Sequence, residues 1–356
     1  MTPGTIARVE TRLLTAAMPR PWVVEAPWLH VIVVEIETSD GRTGVGFSWT
    51  PTIGAAAVKA LIDNDITDFV RGLPADAATV WPRLWRHLHE AGGGGITTSA
   101  MAGIDIALWD LAGKSSGRSI TELIGRRRES VPVYGSDVNL HYTIDELVAQ
   151  VERWVRQGYR SVKVKVGKPD PLEDLDRIAA VRGALGPDRG LMIDANQRWN
   201  LPTARRSIGM LEQFNLLWVE EPLLSDDLLG YRELRPSVTV PIAMGENVHT
   251  IHRFRDLIDG RVADILQPNV VRVGGITPFL QIASLAAEDK VRLAPHLLID
   301  LSGQLALSLG EETAVEDVEE ADFTSLGLLR TASPVRIEGD RLSAANSPGT
   351  GLDFER

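Results

Sequence analysis

Apolar residues follow two different rhythms along this chain. Over the first 125 or so positions, LHVIVVEIE (29–37) and TGVGFSW (43–49) read as strands around the turn Thr38-Ser39-Asp40-Gly41, a hairpin signal. Helical periodicity follows over 54–71 and 74–90, Gly92-Gly93-Gly94-Gly95 breaks it, and TTSAMAGIDIALWDLAGK (97–114) resumes it. This describes a small α+β domain. After Arg126-Arg127-Arg128 the rhythm changes. Short apolar runs at 131–135, 160–166, 190–194, 216–220, 240–244, 263–267 and 291–295 are separated by helical segments such as 144–157, 172–185 and 275–288. Seven strands with helical connections demand a parallel sheet. A doubly wound sheet and a barrel both fit, but no Gly-x-Gly-x-x-Gly fingerprint follows the first strand, which favours the barrel. The tail from about 325 carries no further βα unit and is expected to pack back on the first domain.

Composition narrows the chemistry. A chain of 356 residues exceeds one compact core, so either two domains or one large α/β barrel with additions is expected. With 44% hydrophobic and 24% charged residues it can bury a large core, which excludes a disordered chain. The net charge of −11 repels phosphate backbones and anionic membranes, so neither nucleic acid nor a membrane is an expected partner. There is no cysteine, which removes disulfides, thiolate nucleophiles, iron–sulfur clusters and Cys-ligated zinc. Any metal must sit on oxygen or imidazole. The start MTPGTIARVETRLL has no apolar core of signal-peptide length, and no run approaches the roughly 20 apolar residues of a membrane span, so a cytoplasmic protein is expected.

Three acids keep the period of the βα repeat. Asp194 ends LMID, Glu220 ends LLWVE and Glu246 follows IAMG, each 26 residues after the one before. In a parallel barrel, successive strand ends are neighbours on the C-terminal rim, where such barrels place their active sites. Three converging carboxylates repel one another unless a cation binds or a proton is shared, and a hard all-oxygen donor set suits Mg²⁺. The alternative is that the acids are helix N-caps or solvated loop charges. Lys163 and Lys165 stand two apart on one strand and so face the same side. Buried, such a pair is costly without a purpose, although an exposed edge strand wearing lysines would also read this way. Close ammonium groups lower each other's pKa, which could prepare one as a base. His296 follows VRLAP and Asn269 follows DILQP, again one repeat apart, so they too should be rim neighbours. A histidine with a polar partner on its second nitrogen can carry a proton.

Together these groups can remove a proton next to a carboxylate group. The second negative charge of the resulting enediolate needs cations, which Mg²⁺ and Lys163 would supply. Lys165 could take the proton on one face. On the other, His296 could return one, protonate a leaving hydroxyl or act as the base itself.

On these and further motifs the chain resembles the enolase superfamily, mandelate racemase subgroup (mandelate racemase/muconate lactonizing enzyme-like). The motifs are Gly103-Ile-Asp-Ile-Ala-Leu-Trp-Asp110, Lys163-x-Lys165, Asp194-Ala-Asn196, Trp218-Val-Glu220-Glu221-Pro222, Gly245-Glu246, Asp264-Ile-Leu-Gln-Pro268, Gly274-Gly275 and Pro295-His296. They span nearly the whole sequence. The resemblance implies a modified TIM barrel, (β/α)7β, at 126–325, an N-terminal α+β capping domain at 1–125, and a tail at 326–356 that packs back on the cap and completes it. It implies Asp194, Glu220 and Glu246 as magnesium ligands, Lys163 as a contact of the substrate carboxylate, and Lys165 and His296 as the acid/base pair. Glu316, in Ala314-Val-Glu-Asp317, falls where the subgroup places an acid hydrogen-bonded to that carboxylate, and Asn196 and Asn269 join the substrate-side set. The subgroup usually has Asp where this sequence has Asn269. Asn can accept the imidazole N–H, yet a neutral amide does not favour the imidazolium as a carboxylate does, which points to Lys165 as the base and His296 as acid or orienting donor.

In this subgroup specificity comes largely from the cap, here the loop 15–28 and the segment near Trp49-Thr-Pro51. Trp22 and Met18 could form an apolar lid or simply anchor the loop. Arg20 could meet a second anionic group or stay solvated. The implied function is Mg²⁺-dependent abstraction of an α-proton from a small carboxylate, foremost dehydration of a sugar acid to a 2-keto-3-deoxy acid. Racemisation or epimerisation of a 2-hydroxy acid, lactone cycloisomerisation, a carboxylate-binding relic without turnover and a purely structural protein are the rival readings. The family frequently forms homo-oligomers.

Overall fold

The computed structural model describes residues 4–22 and 27–356. Part of the expected lid, residues 23–26, lies outside the described residues. The cap opens with an antiparallel meander, β1 (Ile6–Ala17), β2 (Trp28–Thr38) and β3 (Thr43–Thr50), in the order β1-β2-β3. The β2–β3 hairpin turns where the sequence places it, with Gly41 at φ 80°. Strand β1 has no counterpart in the apolar pattern. It is an edge strand with a bulge near Ile6/Arg8, and its buried residues Ile6, Val9 and Ala16 do not alternate.

Helices α1 (Ala55–Leu61), α2 (Thr67–Val70), α3 (Ala77–Leu88), α4 (Ile96–Ser116) and α5 (Ile120–Ile124) complete the cap, with a wide π turn over 62–66 between α1 and α2. Helix α4 lies so close on β3 that a Cβ added at Gly46 would sit 2.2 Å from the carbonyl oxygen of Gly103. The Gly103–Asp110 motif has a mechanical role. Asp105 reaches the barrel, accepting from Thr277 N at 2.9 Å and Thr277 Oγ1 at 2.6 Å, while Trp109 Nε1 donates to Thr277 Oγ1 at 2.9 Å. Burial pushes the Asp105 carboxyl up to about 7 despite those bonds. Asp110 accepts from Val45 N and Thr350 N, both at 2.8 Å, tying the sheet to the tail.

Eight parallel strands form the barrel: β4 (Val131–Ser136), β5 (Ser161–Lys165), β6 (Gly190–Asp194), β7 (Leu216–Glu220), β8 (Ile242–Met244), β9 (Ile265–Leu266), β10 (Arg292–Leu293) and β11 (Val315–Val318). Strands β4 to β10 pair in chain order, and β11 pairs with β4 on its other side. Seven helices connect them: α6 (Ile144–Gln157), α7 (Pro171–Leu185), α8 (Leu201–Leu211), α9 (Leu228–Leu234), α10 (Ile251–Asp259), α11 (Ile276–Glu288) and α12 (Ile299–Ala306). The architecture is (β/α)7β. All seven apolar runs are strands. The eighth, Val-Glu-Asp-Val, holds two acids in four residues and so shows no apolar run.

No helix follows β11 as its partner. Instead β12 (Val335–Glu338) and β13 (Arg341–Ala344) form a hairpin whose second strand adds antiparallel to β4, Leu342 opposite Val131. Beyond it the chain reaches the cap, where Phe354 packs 5.5 Å from Phe47 and Ile120 N donates to Gly349 O at 2.9 Å.

The main core lies between the strands and their covering helices. A smaller cluster of Tyr134, Met192, Trp218, Ala243, Ile265 and Ala294 fills the barrel interior. With the interior plugged, charged side chains at the strand ends are left at the C-terminal rim. Among the described residues no helix is long and apolar enough to cross a membrane.

Candidate active site at the barrel rim

Parallel register sets the site. Lys165 pairs with Asp194 across β5–β6 and Asp194 with Glu220 across β6–β7, so an amine and two carboxylates stand side by side at one level. Glu246 joins them from just beyond β8. Gly245 makes that approach possible, with φ 136° and a place where a Cβ would lie 2.8 Å from Gln267 N. Asp194, Glu220 and Glu246 are buried, and one ligand oxygen from each lies within 4.8 Å of the others. Further bonds aim the oxygens. Asp194 Oδ1 accepts Asn196 N at 2.7 Å, and Glu220 Oε2 accepts Gln267 Nε2 at 2.7 Å and Trp218 Nε1 at 3.2 Å. Glu246 Oε2 is buried, with His296 Nε2 as its close polar neighbour. Burial, together with the other carboxylates, raises Glu220 against the opposing pull of Lys163. A divalent cation fits this donor set: three buried carboxylates that offer hard oxygens and repel one another.

Both lysines point inward while Val162, Val164 and Val166 join the outer core. Lys163 is fully buried, its Nζ 2.6 Å from Glu220 Oε1, 2.7 Å from Glu316 Oε1 and 3.6 Å from Asp194 Oδ2. Burial would depress its pKa, but Glu220 and Glu316 hold it well above the usual lysine range. Lys165 Nζ donates to Asp194 Oδ2. Burial and Lys163 lower its pKa, yet Asp194 prevails and raises it. The expected depression of Lys165 by Lys163 is therefore present but outweighed by the carboxylates around the pair, so the net shift is upward. Glu316 is held down: burial would raise it, and Lys163, His296 and Lys165 overcome that.

His296 closes the ring. Its Nε2 lies 2.8 Å from Glu246 Oε2 and 3.6 Å from Glu316 Oε2. Polar contacts therefore link Lys163, Lys165, Asp194, Asn196, Glu220, Glu246, Asn269, His296 and Glu316 in one cluster. Trp22 lies outside this network and packs edge-on against Trp49, ring centroids 6.1 Å apart.

Comparison with known proteins agrees with this geometry. Residues 10–125 match the mandelate racemase / muconate lactonizing enzyme N-terminal domain, and residues 146–356 match the enolase C-terminal domain-like family. The chain belongs to the mandelate racemase/muconate lactonizing enzyme family of the enolase superfamily. It is 37% identical to a 3,6-anhydro-alpha-L-galactonate cycloisomerase of Streptomyces coelicolor over 92% of this chain and 90% of that one. A racemase from Streptomyces coelicolor solved with bound magnesium superposes with a TM-score of 0.92 at 34% identity, covering 98% and 97% of the two chains. An L-talarate dehydratase from a Polaromonas species, complexed with Mg and L-glucarate, gives 0.87 at 36% identity, covering 99% and 95%.

Within this family frame, Asn269 changes what the histidine can do. The expectation that Asn269 accepts the imidazole N–H is corrected by its own hydrogen bonds. Its Oδ1 is taken by the backbone N–H groups of Val271 at 3.0 Å and Arg272 at 3.1 Å, so Nδ2 faces His296 Nδ1 at 3.1 Å. An amide N–H can only donate, which makes Nδ1 the acceptor and places the imidazole proton on Nε2. Asn269 is fully buried beside His296. Asn269→Asp is expected to change this: one carboxylate oxygen keeps the two backbone donors and the other accepts a proton held on Nδ1. Nitrogen-15 spectra of the imidazole report the tautomer directly. A parent protein already protonated on Nδ1 would refute the assignment.

Several members of the cluster escape sequence reasoning. Ser136 Oγ donates to Glu316 Oε1 at 2.7 Å, but one hydroxyl closing an apolar strand gives no signal. Glu221 is buried and held by Asn247 Nδ2 at 2.7 Å, and Arg272 Nη1 donates to Glu246 O at 3.0 Å. Glu221 has φ 35°, a backbone conformation that its side chain does not reveal in advance. The rim after His296 is strained as well. Leu297 and Leu298 both adopt φ 51°, and Leu297 N donates to Glu316 Oε2 at 3.1 Å.

Proposed function

We propose that this protein abstracts the α-proton of a sugar-derived carboxylate and eliminates an oxygen substituent from the neighbouring carbon, most directly as an acid-sugar dehydratase that forms a 2-keto-3-deoxy acid. The arrangement of Lys165 and His296 carries this reading. They flank the carboxylate triad from β5 and from just beyond β10, separated by β4 and β11 on one side and by β6 to β9 on the other.

Asp194, Glu220 and Glu246 are the residues that would hold magnesium, and Lys163 and Glu316 border the same space. Bound there, the ion supplies positive charge against the negative charge developing on the substrate carboxylate. With Asp194 engaged as a ligand, burial and Lys163 act on Lys165 with less opposition, and both favour the free amine a base requires. Lys165 then takes the α-proton on its face. The C–O bond at the next carbon breaks with its electron pair on oxygen, while His296 Nε2–H stands as hydrogen-bond donor to the departing oxygen. Ketonisation of the enol completes the product.

The His296 tautomer favours elimination over two-base racemisation, which needs a proton acceptor on both faces. Similarity to a cycloisomerase supports a second reading of the same chemistry, with a ring oxygen in place of a hydroxyl as the leaving group.

The test is a panel of mono- and diacid sugars and their lactones, incubated with the protein and Mg²⁺. Keto acid, detected as its semicarbazone, together with solvent deuterium at the α-carbon is the expected outcome. Inverted configuration without keto acid would make the protein a racemase. An α-carbon that exchanges in no compound of the panel would leave the carboxylate-binding relic.

A further inference from the structure

An unbroken line of polar side chains joins the cap's β1–β2 connection to the strand end that carries Lys165. Arg20 lies in that connection, whose base is closed by a hydrogen bond from Met18 N to Pro27 O at 2.9 Å. It is neither solvated nor offered to a second anionic group. Its guanidinium crosses to the barrel, where Nη1 donates to Glu319 Oε2 at 2.5 Å and Nε lies 3.4 Å from Glu320 Oε2. Glu319 directly follows β11, and its backbone N–H donates to Ser136 O at 2.9 Å, which fixes it to the rim of β4. The same Oε2 accepts Gln150 Nε2 at 2.6 Å, Gln150 Oε1 accepts Asn139 Nδ2 at 2.9 Å, and Asn139 Oδ1 accepts the backbone N–H of Lys165 at 2.9 Å. Gln150 and Asn139 are completely buried.

Each link answers a local need. Strands β4 and β5 share only the pair Gly135–Val162, and past Ser136 the chain has left the sheet. The buried Lys165 N–H therefore has no ladder partner from β4, and the Asn139 side chain replaces that partner. Asn139 is held in turn by Gln150, and Gln150 by two carboxylates, Glu319 and Asp137, the latter at 2.6 Å. Glu319 also receives Arg153 of α6 through two bonds of 3.1 Å. Arg20 is the cap's contribution to a junction that otherwise belongs to the barrel. Half-buried at 29% side-chain exposure, it fastens residues 18–22 of the cap to the barrel.

We infer that Arg20 is a latch and positioning residue: by binding Glu319 it ties residues 18–22 of the cap to the barrel rim and, through Gln150 and Asn139, steadies the backbone on which Lys165 is mounted. Attachment of residues 18–22 to the rim and the seat of the amine are then one coupled equilibrium. Coupling of this kind is reciprocal, because whatever loosens one end must loosen the other by the same factor. The catalytic consequence rests on reading Lys165 as the base; the coupling itself does not.

Hydrogen–deuterium exchange of the full-length protein with Mg²⁺ measures both ends without substrate. Arg20→Met is expected to speed amide exchange about fivefold or more over residues 16–22 and also over 161–168. Arg20→Lys, which can still pair with Glu319, is expected to restore much of both. Asn139→Ala is expected to speed 161–168 and, reciprocally, 16–22. If Asn139→Ala lowers the melting temperature, the Arg20 pair alone decides. Variants that each loosen only their own segment would overturn the proposal. Loss of α-hydrogen exchange in Lys165→Ala with the two segments uncoupled would sink the latch and keep the base. Coupled segments with exchange intact in Lys165→Ala would do the opposite.

Discussion

Lys165→Ala is expected to lower deuterium incorporation at the substrate α-carbon by about 10²–10⁴-fold, the range over which a positioned acid/base group acts. Lys165 Nζ, on Asp194, is the amine of the pair with residual exposure, whereas Lys163 is sealed between Glu220 and Glu316. The two lysines should therefore separate by phenotype. Removing Lys165 removes the proton acceptor and leaves Glu220 and Glu316 paired with Lys163. Removing Lys163 strips the partner from two buried carboxylates and is expected to lower stability as well as activity. Exchange followed by proton NMR, beside a melting curve for each variant, distinguishes them. Full exchange in Lys165→Ala, with His296→Ala inactive, would move the base to the other face of the site.

Glu246→Gln is expected to weaken magnesium binding by more than about 100-fold, since loss of a mere supporting hydrogen bond to a ligand typically costs about 10–100-fold. Glu246 is the informative position because, unlike Asp194 and Glu220, it pairs with neither lysine and meets only His296 Nε2 at ion-pair distance. Burial tends to raise its pKa, but His296, followed by Lys165 and Arg272, holds it well below the usual carboxylate range, so it is ready as an anionic ligand. Glu220 differs, because burial raises it. A proton bound there must leave as the ion enters, so magnesium affinity is expected to rise with pH until Glu220 is ionised in the free protein. Calorimetric titration in two buffers of different ionisation enthalpy reads the affinity and the proton release together. Unchanged affinity in Glu246→Gln would remove that residue from the metal site.

Much of this site is legible because a barrel turns sequence period into spatial adjacency. Residues at strand ends one βα unit apart become neighbours, so Asp194, Glu220 and Glu246 could be grouped from spacing, as could Asn269 with His296. Residues brought in by closure were harder. Strand β11 carries Glu316 in a stretch too polar to register as apolar, and only likeness to a family pointed to that acid. Direction was harder still. Which end of the Asn269 amide meets the imidazole depends on two backbone N–H groups at 271 and 272, whose aim depends on the local turn. The line from Arg20 to Lys165 crosses four separate segments, and no spacing rule connects residues 20, 139, 150 and 319.

The return of the chain after β13 to the cap sets an order of assembly. Phe354 fills against Phe47, and Arg12 Nε donates to the carbonyl of Glu355 at 2.9 Å, so the first-made sheet waits for some of the last-made residues before its interior is whole. During synthesis the cap would emerge with an apolar face open, a condition that invites chaperone capture or clumping. Fusions or deletions that disturb positions 349–355 should therefore harm yield of folded protein before they touch the chemistry at the barrel rim.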